Sequence, residues 1–136
     1  MNFAAIAKGV LAGAIALVVL RFCAFLALPV IMGGSVPVAE HVLVAVLAGA
    51  GVIIFVLPGM ITGYAVMRFD STRSLINAAF AAALLGTVMV LWDVKSSYPW
   101  PAAVRALFSI GCAAMLGVAG AFIRTFQTNR PKRSAK

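Results

Sequence analysis

Acidic residues are almost missing from this chain: Glu40, Asp70 and Asp93 are the only three among 136 residues. They stand far apart in sequence, so no carboxylate pair is spaced for general acid and base work or for holding a cation. Histidine is represented by His41 alone. With no second ligand near it in sequence, that imidazole reads as a solvated side chain at a helix start, not as a proton relay or metal ligand. Cysteine is limited to Cys23 and Cys112. Both lie inside apolar stretches without the paired spacing of a zinc site or disulfide framework, and they read as small apolar residues. Nucleophile–base pairs and phosphate-cradling glycine loops are absent too. The expectation is a protein with no catalytic residue, no cofactor and no metal, and not an enzyme.

Charge of either sign is scarce. Charged residues make up 10% of the chain, apolar residues 64%, and the mean hydropathy is +1.11. A soluble domain of this composition would have too few polar side chains to cover its surface, so lipid must be its solvent. The net charge of +8 sits at the ends of apolar runs and in the carboxyl-terminal tail, not along one folded face. That distribution points to membrane lipid, through anionic headgroups, and not to nucleic acid.

What the chain does have is long apolar runs. The central pair, within residues 42–92, is joined by the turn Arg68-Phe69-Asp70-Ser71-Thr72-Arg73, and each arm is long enough to cross a bilayer. Four spans are predicted, at about 9–32, 42–67, 74–92 and 102–123, forming one all-α four-helix transmembrane domain over 1–124 with a basic tail over 125–136. The first contains Arg21 and Pro29, and continuity past Pro29 is left open. Gly33-Gly34-Ser35-Val36-Pro37 ends it. Glu40 suits the positive end of the next helix. Pro58 removes a backbone donor from the second span and frees the Ile54 carbonyl, so a kink is expected there. Trp92, Tyr98 and Trp100 fit a headgroup layer.

The amino-terminal run resembles a signal peptide only in outline. Arg21 interrupts it, no small-x-small site follows, and Leu20-Arg21-Phe22-Cys23 does not fit a lipoprotein signal, so the segment is expected to be retained. Orientation follows from lysine and arginine near the span ends. Lys8, Arg68, Arg73, Arg124, Arg130, Lys132, Arg133 and Lys136 fall on one side; Lys95 and Arg105 fall on the other. Both termini are therefore expected to be cytoplasmic, with Arg124, Arg130, Lys132 and Arg133 at the lipid headgroups.

Small residues at four-residue spacing predict how the spans pack, because helices in lipid associate where backbones approach closely. They are Gly9 and Gly13 in the first span, Gly59 and Gly63 in the second, Ala82 and Gly86 in the third, Gly117 and Ala121 in the fourth. Packing within one chain is the simpler use of these spacings, ahead of a dimer motif.

Arg21 is the candidate for a special role. It lies about 18 Å from the inner end of its helix, where an arginine costs roughly 2.5–3.5 kcal/mol. Thr87, Ser109 and the Ile54 carbonyl fall at similar depth, which suggests a midplane polar layer. One reading makes this an anion site in a small transporter; the plainer one has Arg21 snorkel or lock a helix pair while Thr87 and Ser109 bond their own helices. The plainer reading is preferred, because no span centre carries an acidic counter-ion.

Lys8-Gly9-Val10-Leu11-Ala12, Gly59-x-x-x-Gly63-Tyr64-Ala65 before a basic turn, and Asn77-Ala78 entering an alanine-rich span together resemble small four-span bacterial inner-membrane proteins of uncharacterised families. The likeness covers mainly residues 1–92 and implies a topology and a bacterial inner membrane, not an activity. Small multidrug transporters, which need a first-span carboxylate, and fluoride channels, with their polar asparagine and phenylalanine-threonine-serine track, fit less well. The function expected first is an accessory or assembly factor acting through helix–helix association, with a membrane-protein partner or as a homo-oligomer. The alternative is a small homo-oligomeric channel or transporter with Arg21 at its midplane; a phage-type holin ranks last.

Overall fold

The computed structural model of this chain describes residues 1–32, 40–70, 72, 74–92 and 101–129. Four α-helices account for nearly all of them: α1, Phe3–Met32; α2, Glu40–Phe69; α3, Leu75–Trp92; and α4, Ala102–Asn129. Helix α1 starts six residues before the predicted span. Asn2 makes this early start favourable, since its Oδ1 accepts from the Ala5 N–H at 3.2 Å and its carbonyl accepts from Ile6 at 3.1 Å, covering donors that a helix start leaves open. The helix also runs on through Pro29. Helix α2 extends the predicted 42–67 by two residues at each end. Ser74, predicted as the first residue of the third span, instead precedes α3, its carbonyl accepting from Asn77 and Ala78.

A larger correction concerns the carboxyl terminus. The tail was expected to begin at residue 125, yet α4 continues to Asn129. The Thr125 and Thr128 hydroxyls bond the carbonyls of Ala121 and Arg124 in the preceding turn, at 3.1 and 2.7 Å, so neither competes with helical hydrogen bonding.

Three of the helices are long and apolar enough to cross a membrane, over Phe3–Ala27, His41–Phe69 and Ala102–Thr128; α3 is a shorter apolar helix. Phe22, Phe25, Phe108, Met115 and Phe126 are all more than half exposed. A surface of that kind belongs in hydrocarbon, and the chain is a helical membrane protein.

Helices α2 and α3 pack side by side, and α1 and α4 each lie against both of them; among the described residues α1 and α4 do not touch. The buried stripe of α3 is Asn77, Ala78, Ala81, Ala82, Leu85, Gly86 and Met89, a 3.6-residue repeat built mostly from small side chains. The core concentrates toward the end where α1 and α3 begin and α2 and α4 finish. Pro58, Thr62, Val66 and Leu85 are its largest fully buried side chains, and Ile6, Val66, Met67, Ala78, Ala81 and Ala121 form one cluster. In lipid such a core gains little from hydrophobic transfer, so contact density holds it.

Candidate functional site

The six glycines singled out from spacing lie at helix contacts. A Cβ on Gly9 would strike the Val66 side chain, and one on Gly13 the Thr62 hydroxyl, with Leu85 Cδ2 at 2.8 Å. On Gly59 it would meet Leu116 Cβ at 3.0 Å; on Gly86, Ala113 Cβ at 2.8 Å. Gly63 faces the backbone of Gly117 directly. Gly117 in turn faces the Ala78 carbonyl at 2.7 Å and the Ala82 methyl, so it fits the groove between α2 and α3. Gly120, not foreseen, abuts the Met60 carbonyl, while Ala121 is fully buried in the core. Thr62 spends its hydroxyl on the Pro58 carbonyl at 2.8 Å. That satisfies, within its own helix, the polar group that α1 crosses at Gly13. Helix α2 continues through Pro58.

The members of the midplane layer fall on different helices. Arg21 is half-buried on α1. Thr87 is exposed and donates to the Ala83 carbonyl of its own helix at 3.0 Å. Ser109 is half-buried on α4, a helix that α1 does not touch. Depth alone suggested the grouping; the lateral placement of α4 beyond the α2–α3 pair sets Ser109 apart from α1.

A polar cluster that sequence reasoning overlooked lies at the basic end. Asp70 is 3% exposed, and its carboxylate accepts from four residues. Asn77 Nδ2 donates at 2.8 Å, the Thr72 hydroxyl at 2.8 Å and its N–H at 3.0 Å, the Ser74 N–H at 3.2 Å, and Asn2 Nδ2 at 3.4 Å. One carboxylate thus joins the start of α1, the end of α2 and the start of α3. Burial pushes this carboxyl up, but the hydrogen bonds from Asn77, Thr72 and Ser74 outweigh it and hold Asp70 well below the ordinary carboxylate range. The available signal was a lone acid in a basic turn, followed by Thr72, Ser74 and Asn77.

Among the described residues, three cations share this end. Lys8 Nζ sits 4.9 Å from the centre of the Phe69 ring, and the Arg124 guanidinium 5.6 Å from that of Tyr64, distances at which a cation is attracted to an aromatic face. The Tyr64 hydroxyl donates to Gln127 Oε1 at 3.0 Å. Arg68 is exposed and, with Arg124, borders a cavity of about 400 Å³ between the ends of α2 and α4. Of the predicted headgroup residues, Arg124 is placed here, half-buried. Arg130, Lys132 and Arg133 lie outside the described residues, as do Arg73, Asp93 and the aromatic pair Tyr98 and Trp100; of the Trp92 side chain nothing is described. His41 is exposed at the start of α2, and Cys23 and Cys112 are free, on different helices. Among the described residues no group of three or more His, Cys, Asp or Glu side chains is gathered for a metal. No protein-family model, curated protein or solved structure matches this chain.

Proposed function

We propose that this chain is a four-pass protein of a bacterial inner membrane, with both termini in the cytoplasm, and that it acts as an accessory or assembly factor by packing its helices against another membrane protein. The reading of four passes rests on α3 acting as the shortest span: its 18 residues make about 27 Å, close to the hydrocarbon thickness. The clustering of Lys8, Arg68 and Arg124 at one end supports the orientation.

The observation that carries the association reading is the bare outer half of α2. From His41 to Ile53 every residue is exposed except Leu43 and Ala50, which are half-buried. This segment includes Ala45, Ala48, Gly49 and Gly51, and among the described residues neither glycine has a neighbour outside its own helical backbone within 4 Å of where a Cβ would stand. At the other end of the same helix, Gly59 and Gly63 are covered by α4. Glycine on a lipid-facing surface lowers helix propensity without a compensating contact, whereas against another helix it permits close approach.

The test is purification of the intact chain in nanodiscs with mass determination of the particle, for the native chain and for Gly49→Leu. A second protein or copy at fixed stoichiometry, lost in the variant, is the expected result. A bare homo-oligomer that conducts solute in an Arg21-dependent manner would overturn it in favour of the channel or transporter reading.

A further inference from the structure

We propose that the ends of α2 and α4 form a binding site for one anionic phospholipid, with its phosphate held by Arg68 and Arg124 and an acyl chain lying in the apolar hollow beneath them. The site has two neighbouring parts. The first is the cavity of about 400 Å³ at the helix ends, bordered by Arg68, Arg124, Thr125 and Thr128. The second is a hollow of about 290 Å³ whose wall is almost wholly apolar, between Met60, Ile61 and Ala65 of α2 and Gly120 and Ile123 of α4. Arg68 and Phe69 border both, so a charged space and a hydrocarbon one lie next to each other.

Charge complementarity selects the headgroup. Among the described residues, neither Arg68 nor Arg124 pairs with a carboxylate. Arg124 is held in place over Tyr64, whose hydroxyl is tied to Gln127, so the guanidinium is preorganised for an incoming phosphate oxygen. Asp70 also borders the cavity, but its carboxylate is buried and turned to Asn2, Thr72, Ser74 and Asn77. The two cations therefore dominate what a ligand meets. The Thr125 and Thr128 hydroxyls already donate to their own helix and leave the phosphate to the arginines.

Shape argues for a lipid over a free anion. An inorganic phosphate would use the upper cavity and leave the hollow empty, whereas an amphiphile matches the order of the two parts, with charge at the helix ends and hydrocarbon toward the membrane interior. The hollow lies beside the tight crossing of Gly120 on the Met60 carbonyl, a fixed wall for an acyl chain. The site depends on the membrane reading of the chain and not on its association with a partner.

Native mass spectrometry of the full chain in detergent, with phosphatidylglycerol and phosphatidylcholine supplied in equal amounts, tests the proposal. One retained phosphatidylglycerol is expected in preference to phosphatidylcholine. Arg68→Gln and Arg124→Gln should each lower retention about fivefold, since one cation near a lipid surface changes affinity by about that factor. Lys8→Gln, at the same end but over Phe69, should leave it unchanged. Ile61→Trp, which fills the hollow and keeps both arginines, should lower retention of phosphatidylglycerol while binding of inorganic phosphate, followed by thermal shift, stays the same. Equal retention of the two lipids would overturn the proposal. So would equal losses in all three charge variants, which mean diffuse attraction, or inorganic phosphate competing fully with the lipid, which means a free-anion site. Circular dichroism of each variant separates lost binding from lost fold.

Discussion

Replacing Gly63 with alanine places a methyl group against the backbone of Gly117, 2.5 Å from its carbonyl carbon and 2.8 Å from its Cα. Carbon atoms in ordinary contact stand about 3.5–4 Å apart, so α2 and α4 must part by roughly 1 Å. Nothing at this point can rotate away, because the opposing atoms are backbone. A gap of that size forfeits a quarter to a half of each affected contact, and added volume in a close-packed core costs about 1–3 kcal/mol. Gly49→Ala is the matched control. It lies on the same helix, gains the same helix propensity of up to about 1 kcal/mol, and among the described residues meets no atom outside its own helical backbone within 4 Å. The difference between the two variants isolates the clash, and we expect about 2 kcal/mol, or some thirtyfold in the unfolding equilibrium. Steric trapping or titration with dodecyl sulfate in mixed micelles measures it in a membrane-like solvent. Equal stability of the two variants would refute the argument that the α2–α4 crossing depends on paired glycines.

Asp70→Asn should destabilise the bundle by about 2–3 kcal/mol in the same assay, because an amide replaces one acceptor oxygen with a donor that faces existing donors. The pH dependence has a defined sign. The folded-state pKa of Asp70 is depressed, so its contribution is fully present above the unfolded value of about 3.9 and is lost as pH falls from there through the lower folded value. The pH dependence of unfolding stability between pH 7 and pH 5 should therefore carry no Asp70 component, and the acid-induced loss below about pH 4 should be smaller in Asp70→Asn. Gly49→Leu should not lower the stability of the single chain, while reducing co-purification of its partner, read from particle mass in nanodiscs.

How far the residues disclosed the fold depended on the range of the interaction. Long apolar runs and the breaks at Gly33-Gly34 and Arg68 to Arg73 are local, and the helices fall close to them. Boundaries moved where a side chain caps a helix, as Asn2 does for α1, or bonds within it without ending it, as the two threonines do in α4. Four-residue glycine spacing marked contact positions without naming the partner, since Gly63 against Gly117 and Gly13 against Thr62 are matters of lateral placement. The same lack of lateral information grouped Arg21, Thr87 and Ser109 by depth alone. Asp70 was read as a turn residue because its role needs Asn2 and Asn77, 68 and 7 residues away in sequence. Arg68 and Arg124 were both assigned to the inner end, yet the cavity between them exists only once α2 and α4 are packed.

The most direct test of the association account is photo-crosslinking in native membranes from a probe at position 49, with a second probe at the buried position 85 as control. The account predicts an adduct with one discrete membrane protein or a second copy of this chain from position 49, and only intramolecular adducts from position 85. Lipid adducts alone from position 49 would contradict it.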